Sequence, residues 1–99
     1  PDISVICDPN KLNDKGCSGA PDWIIEIVSP SSKPMDYYTK LSLYRDAGVR
    51  EYWIVDPLRQ IILVYDMEHG DSPVIHSFND SIPVRIYPGF SIDFSQLKL

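Results

Sequence analysis

The sequence has little of what several function classes require. Its 99 residues hold two cysteines, Cys7 and Cys17, and two histidines, His69 and His76. There is no CxxC pair and no histidine at metal-ligand spacing, so neither a zinc site nor a thiol-redox motif is indicated. The cysteines read as reduced structural thiols, and the histidines, in the later strands and loops, as surface or filler residues. No apolar run approaches the roughly 18 residues of a membrane span, and no signal-like segment is present. The expectation is a cytoplasmic protein with no membrane partner. Basic residues are in deficit: nine Lys and Arg against fourteen Asp and Glu give a net charge of −5. A protein whose whole surface grips phosphates carries the opposite sign. The deficit does not exclude nucleic acid, because metal-dependent nucleases concentrate carboxylates at the site, and a basic patch can lie on a partner subunit or another segment.

What is present is enough apolar material for one core, 43% of the residues. Domains usually run from about 50 to 250 residues, and neither a repeat nor a linker divides this chain, so residues 1–99 read as a single domain. Chains of this size bury only about two-thirds of their unfolded surface, so a missing element or partner would weigh on stability.

Ile3 to Cys7 is short, apolar and β-branched, as a buried strand is. Asp8 to Gly19, with Pro9, Asn10, Asn13, Gly16 and Gly19, reads as a surface loop or hairpin connection. Asp22 to Ser29 is apolar on both faces except for its acids, the pattern of a central strand covered on both sides. Ser29 to Pro34 must be a loop. Asp36 suits a helix N-cap, the three-and-four spacing of Tyr37, Leu41 and Tyr44 predicts a helix over 37–47, and Gly48 stands where a left-handed C-cap belongs. Residues 51–56 and 60–65 predict a hairpin around Pro57 to Arg59. Val74 to Phe78 and Val84 to Tyr87 predict further strands, with turns around Gly70 and Asn79 to Pro83, while the tail from Pro88 to Phe94 shows no clear period. A helix between two strands suggests a crossover over a mixed sheet, an α/β (α+β) fold. The chain opens on Pro1-Asp2 at a strand edge, so the N-terminal part of a longer protein is expected to precede it.

Glu26 lies between Ile24-Ile25 and Ile27-Val28, where an ionised carboxylate is costly unless paired or bound to a cation. Strand alternation puts Asp22, Glu26 and Val28 on one face and Trp23, Ile25 and Ile27 on the other. Asp2 begins the preceding strand, and if the two strands pair, Asp2 and Glu26 could converge on one point. Hard oxygen ligands in that arrangement suit Mg²⁺ or Mn²⁺. Each acid also has an ordinary reading: Asp22 after Pro21 as a turn residue, Asp2 as a solvated one, Glu26 as the partner of a buried base. Lys40 shares a helix face with Tyr37 and Tyr44, which would aim it at the Glu26 strand; an isolated helix lysine would instead snorkel to water.

The strings Pro1 to Val5, Ala20 to Ser32, Lys40 to Tyr44 and Gly48 to Pro57 resemble the hallmark segments of the Uma2 (DUF820) family, in order, over the first 57 residues. That family is assigned to the restriction-endonuclease-like, PD-(D/E)xK superfamily. The resemblance implies a mixed sheet with flanking helices, of which this chain would form the C-terminal part. It matches Asp2 to the PD aspartate and Glu26 to the acid of the (D/E)xK element. Val28 stands where that element has lysine, and the family pattern suggests that Lys40 supplies the ammonium from the helix. The implied activity is metal-assisted hydrolysis of a phosphodiester, with DNA as substrate. Asp2, Glu26 and the Ile27 carbonyl would hold Mg²⁺ or Mn²⁺, and Lys40 would orient the attacking water. Two other readings stay open: a catalytically inactive interaction or dimerisation module, and a hydrolase of another phosphorylated substrate. Trp53, Ile54 and the Tyr65 hairpin could present an apolar surface to a second copy, although ordinary core packing is the simpler role for them.

Overall fold

Short β-branched runs build the main sheet, and their order decides what faces what. The computed structural model describes the backbone of residues 2–7, 9–14, 16–17, 19–29, 34–70 and 72–97, with side chains for these except 2–6, 12–13, 17 and 34–38. Strand β1 (Asp2–Ile6) is followed by a 3-10 turn (Pro9–Lys11) and a small hairpin, β2 (Leu12–Asn13) and β3 (Gly16–Cys17). Then come β4 (Trp23–Ile27), helix α1 (Pro34–Ala47), β5 (Glu51–Asp56), β6 (Ile61–Asp66) and β7 (Val74–Ser77). A second small hairpin, β8 (Ser81–Pro83) with β9 (Ser91–Asp93), leads into a 3-10 turn, Phe94–Gln96.

The five-stranded sheet has the order β1-β4-β5-β6-β7. β4 and β5 pair in parallel through the α1 crossover, and the other neighbours pair antiparallel. This is the mixed sheet expected. β4 and β5 are central and covered on both faces, which is why they read as near-continuous apolar runs. One layer packs Trp23, Trp53, Val55, Ile62, Val64, Ile82, Val84 and Phe94; the other packs Ile24, Val28, Val49, Tyr52, Ile54 and Tyr65 against Leu41 and Tyr44 of α1. Trp53, Ile54 and Tyr65 are thus buried within the chain. They do not form a surface for a second copy, and ordinary packing accounts for them.

Helix α1 starts earlier than predicted. Pro34, not Asp36, opens it; proline is suited to the first helical position because its missing N–H and fixed φ cost nothing there. Its end follows the sequence. Gly48 has φ +95°, the Gly48 amide donates to the Arg45 carbonyl at 3.1 Å, and the Val49 amide donates to that of Tyr44 at 3.0 Å. These are the two bonds of a Schellman motif.

Two expectations are overturned. Val84 to Tyr87 is not a strand: the Tyr87 amide donates to Val84 and the Phe90 amide to Tyr87, so the run spends its hydrogen bonds on local turns, and the strand forms at Ser81–Pro83 instead. Cys7 is not a reduced thiol but disulfide-bonded, and the chain's one other cysteine is Cys17. Disulfides belong mainly to oxidising compartments, so cysteine usage no longer argues for a cytoplasmic location. Among the described residues no helix is long and apolar enough to cross a membrane.

Candidate active site

Glu26 is fully buried, because alternation along β4 turns it, with Ile24 and Val28, into the layer beneath α1. Two elements meet its carboxylate. Lys40, from the middle of α1, donates to Oε1, and the Tyr52 hydroxyl, from β5, donates to Oε2 at 2.6 Å. The lysine arrives there because α1 docks through Leu41 and Tyr44, whose ring stands edge-on to Tyr52 at 5.0 Å and 76°. Lys40 is one turn before Tyr44 on the same face. Its side chain keeps 29% exposure while Glu26 keeps 1%, so the pair joins a dry carboxylate to a half-wet ammonium. Tyr52 also stacks on Tyr65, 6.1 Å away. Burial, and then its bond to Glu26, drive the Tyr52 phenol well above its usual pKa, so it remains a neutral donor.

Asp2 begins β1, which runs antiparallel to β4 with Asp2 opposite Ile27 and Ile3 opposite Glu26. Asp2 and Glu26 thus hold adjacent register positions at one end of the sheet. The Asp2 side chain lies outside the described residues, as does that of Tyr37. Asp22 belongs elsewhere. It precedes β4, is 2% exposed, and accepts from Lys11 Nζ at 2.9 Å, while its backbone carbonyl takes the Arg50 and Glu51 amides. At roughly 3.3 Å per strand residue it stands about 13 Å along the strand from Glu26, a structural ion pair at the opposite end. His69 is exposed beside Asp66 (Nδ1 to Oδ2, 2.9 Å) and His76 lies 3.6 Å from Asp80. His69, with Asp66, Ser72 and Arg85, lines a shallow surface pocket.

Sequence reasoning passed over Glu51 and Tyr52. Glu51 is fully buried on the face away from α1, accepting from Trp53 Nε1 at 2.5 Å and from the Ile86 amide at 3.2 Å. Burial pushes its carboxyl above the usual range, against the opposing pull of these hydrogen bonds. The available signal was Trp53, two residues on and on the same face, since a buried indole N–H needs an acceptor. Tyr52 could be connected to Glu26 only through the β4–β5 register, which a single strand's pattern does not contain.

Among the described residues no group of three His, Cys, Asp or Glu side chains is placed to hold a metal ion. Glu26 does offer hard oxygens: an ionised carboxylate has about four acceptor sites, and Lys40 and Tyr52 occupy two. Mg²⁺ typically takes one or two carboxylates and keeps water and substrate phosphate for the rest. The donor set fits an ion of that kind.

The fold has a solved counterpart. A crystal structure from Anabaena variabilis, described as a putative nuclease belonging to DUF820, matches with a TM-score of 0.71 and 25% identity, covering 95% of this chain and 57% of that one. This chain thus spans a little over half the length of that protein. No curated protein matches the sequence. The family profile of Uma2, described as "Putative restriction endonuclease", matches residues 1–95, and with nearly the whole length covered, the chain belongs to the Uma2 family.

Proposed function

We propose that this chain carries the catalytic half of a metal-dependent nuclease that hydrolyses phosphodiesters, with DNA as substrate. The observation that supports it best is the Lys40 ammonium seated on the buried Glu26 carboxylate. An acid and a base brought together from a central strand and the following helix are what a displaced (D/E)xK lysine requires. Glu26, Asp2 and the Ile27 carbonyl would hold Mg²⁺ or Mn²⁺. Asp2 begins β1 one register position from Glu26, near the end of β4, so a shared ion would sit at that end of the sheet. A bound divalent ion supplies Lewis acidity toward phosphate and water. Lys40 then orients the attacking water and offsets the negative charge that develops on the phosphoryl oxygens. The acidic chain takes its phosphate-binding surface from the rest of the full-length protein or from a second copy. A cytoplasmic location goes with a DNA substrate, and the Cys7 disulfide would then form against a reducing thiol pool.

A second reading, an inactive nuclease-like interaction module, is favoured by the engagement of both Glu26 oxygens within the fold. Calorimetric titration of the full-length protein with Mn²⁺, alongside hydrolysis of plasmid DNA, separates the two. The nuclease reading expects Mn²⁺ binding that is lost in the Asp2→Asn, Glu26→Gln double variant. It also expects Lys40→Met to lose about 100-fold or more in hydrolysis. A wild-type protein that ignores Mn²⁺ supports the module and ends the nuclease reading.

A further inference from the structure

Glu26 is gripped from two directions. Lys40 of α1 reaches Oε1, and Tyr52 of β5 reaches Oε2 at 2.6 Å. The terminal torsion of a glutamate is broad, so a single donor would leave the carboxylate free to twist, whereas one donor on each oxygen fixes its plane. Groups beyond the ligands commonly hold metal-binding side chains in this way, and a ligating carboxylate is usually hydrogen-bonded in turn.

Tyr52 is well suited to the task. It is fully buried, and its ring is set between Tyr44, edge-on at 5.0 Å, and Tyr65, stacked at 6.1 Å, so the hydroxyl has little freedom to leave. As a neutral phenol it directs a hydrogen bond without adding a charge that would repel a cation. Its contact with Tyr44 also ties the hydroxyl's position to the helix that presents Lys40, so both donors on Glu26 move with one packed cluster.

We propose that Tyr52 is a positioning residue, whose hydroxyl holds the Glu26 carboxylate in the plane from which its remaining lone pairs meet a divalent cation. This rests on the metal-dependent reading above. A purely structural role, a buried phenol finding an acceptor, shows the same contact but leaves metal affinity alone.

The test is Mn²⁺ calorimetry on the full-length wild type, Tyr52→Phe, Glu26→Gln and the double variant, at a temperature where all are folded. Tyr52→Phe keeps the ring packing and removes the donor. The expected result is a Kd for Mn²⁺ raised about tenfold or more in Tyr52→Phe, with no further loss when the same change is made on the Glu26→Gln background, as coupled residues show. Wild-type affinity in Tyr52→Phe, or an equal loss in both backgrounds, overturns the proposal and leaves the metal-dependent reading standing. A wild type that binds no Mn²⁺ overturns both. Should Tyr52→Phe fail to fold, NMR of the wild type answers the question: the Tyr52 hydroxyl proton shifts on addition of Mg²⁺, and the shift is absent in Glu26→Gln. A resonance that stays put overturns the proposal.

Discussion

Glu26 and Glu51 are fully buried on neighbouring strands of one sheet, yet they face opposite layers and have opposite kinds of partner. Glu26 meets an ammonium and a phenol. Glu51 meets an indole N–H and a backbone amide. A carboxylate removed from water is costly in either place. On one face a charge compensates for it, and on the other N–H dipoles do so in part, which makes the two acids respond to different perturbations.

Lys40→Met exposes the first dependence. It strands the Glu26 charge in the layer beneath α1, and breaking a buried pair by removing one partner costs about 3–5 kcal/mol. Lys40 keeps some water contact, so the expected loss is at the low end, about 3 kcal/mol. Removing both charges with Glu26→Leu and Lys40→Met recovers most of that loss, since well-packed apolar replacements of buried pairs are close to neutral. Urea unfolding of the three proteins measures it. No recovery in the double variant would show that the single variant fails through lost packing rather than a stranded charge.

Glu51 should reveal itself through pH. Burial raises its folded-state pKa above the reference 4.5, so the folded protein holds this proton more tightly than the unfolded chain. Its stabilising contribution is therefore fully present below 4.5 and is lost as pH rises through the raised folded value. Glu51→Gln removes that titration. The stability of the wild type relative to Glu51→Gln should increase as pH falls from neutral toward 4.5 and level off below it, measured by urea midpoints at each pH. A difference that moves the other way would mean that the hydrogen bonds from Trp53 and Ile86 outweigh burial.

The central part of the fold was legible because its signals are local. Alternation along Trp23 to Ile27 marks a strand covered on both faces, and the spacing of Leu41 and Tyr44 places Lys40 over it. Where the reading failed, the deciding contacts come from residues outside the run being read. The run Val84 to Tyr87 has strand composition, but Val84 bonds to Phe90 across a turn. Asp22 shares Glu26's alternation, yet Lys11, from the loop before β2, claims it. The Glu51 environment is assembled by Ile86, 35 residues later. The Glu26–Lys40 pairing was inferred from a family resemblance together with helix spacing, and the Tyr52 contact depends on a strand register that neither supplies.

Gly48 separates helix stability from site chemistry. At φ +95° it holds a backbone conformation unfavourable to other residues, and a Cβ added there would meet nothing within 4 Å. The cost of Gly48→Ala is therefore backbone strain alone, about 1 kcal/mol. Because Val49 and Tyr44 remain packed in the layer under α1, the helix stays docked and Lys40 stays in place. Thermal unfolding should show the loss, while Mn²⁺ affinity stays at the wild-type value. A matching drop in metal affinity would mean that the helix end is strained as far back as Lys40.

Asp22 and Glu26 are both buried acids on one segment, and the structure gives them separate duties. Asp22 accepts from Lys11 at 2.9 Å and, through its backbone, anchors the start of β5 by the Arg50 and Glu51 amides. Asp22→Asn keeps the backbone bonds and removes the charge that pairs with Lys11 and acts on Arg50. Its Lys11 partner is 37% exposed and can return to water, so the expected cost is about 1–2 kcal/mol, between the ranges for surface and buried pairs. The proposed site lies at the other end of β4, so Asp22→Asn should bind Mn²⁺ as the wild type does. Comparing unfolding and Mn²⁺ titration for Asp22→Asn and Glu26→Gln decides between two ends and one: loss of metal affinity in Asp22→Asn would move the ion toward Lys11 and undo the division of labour along the strand.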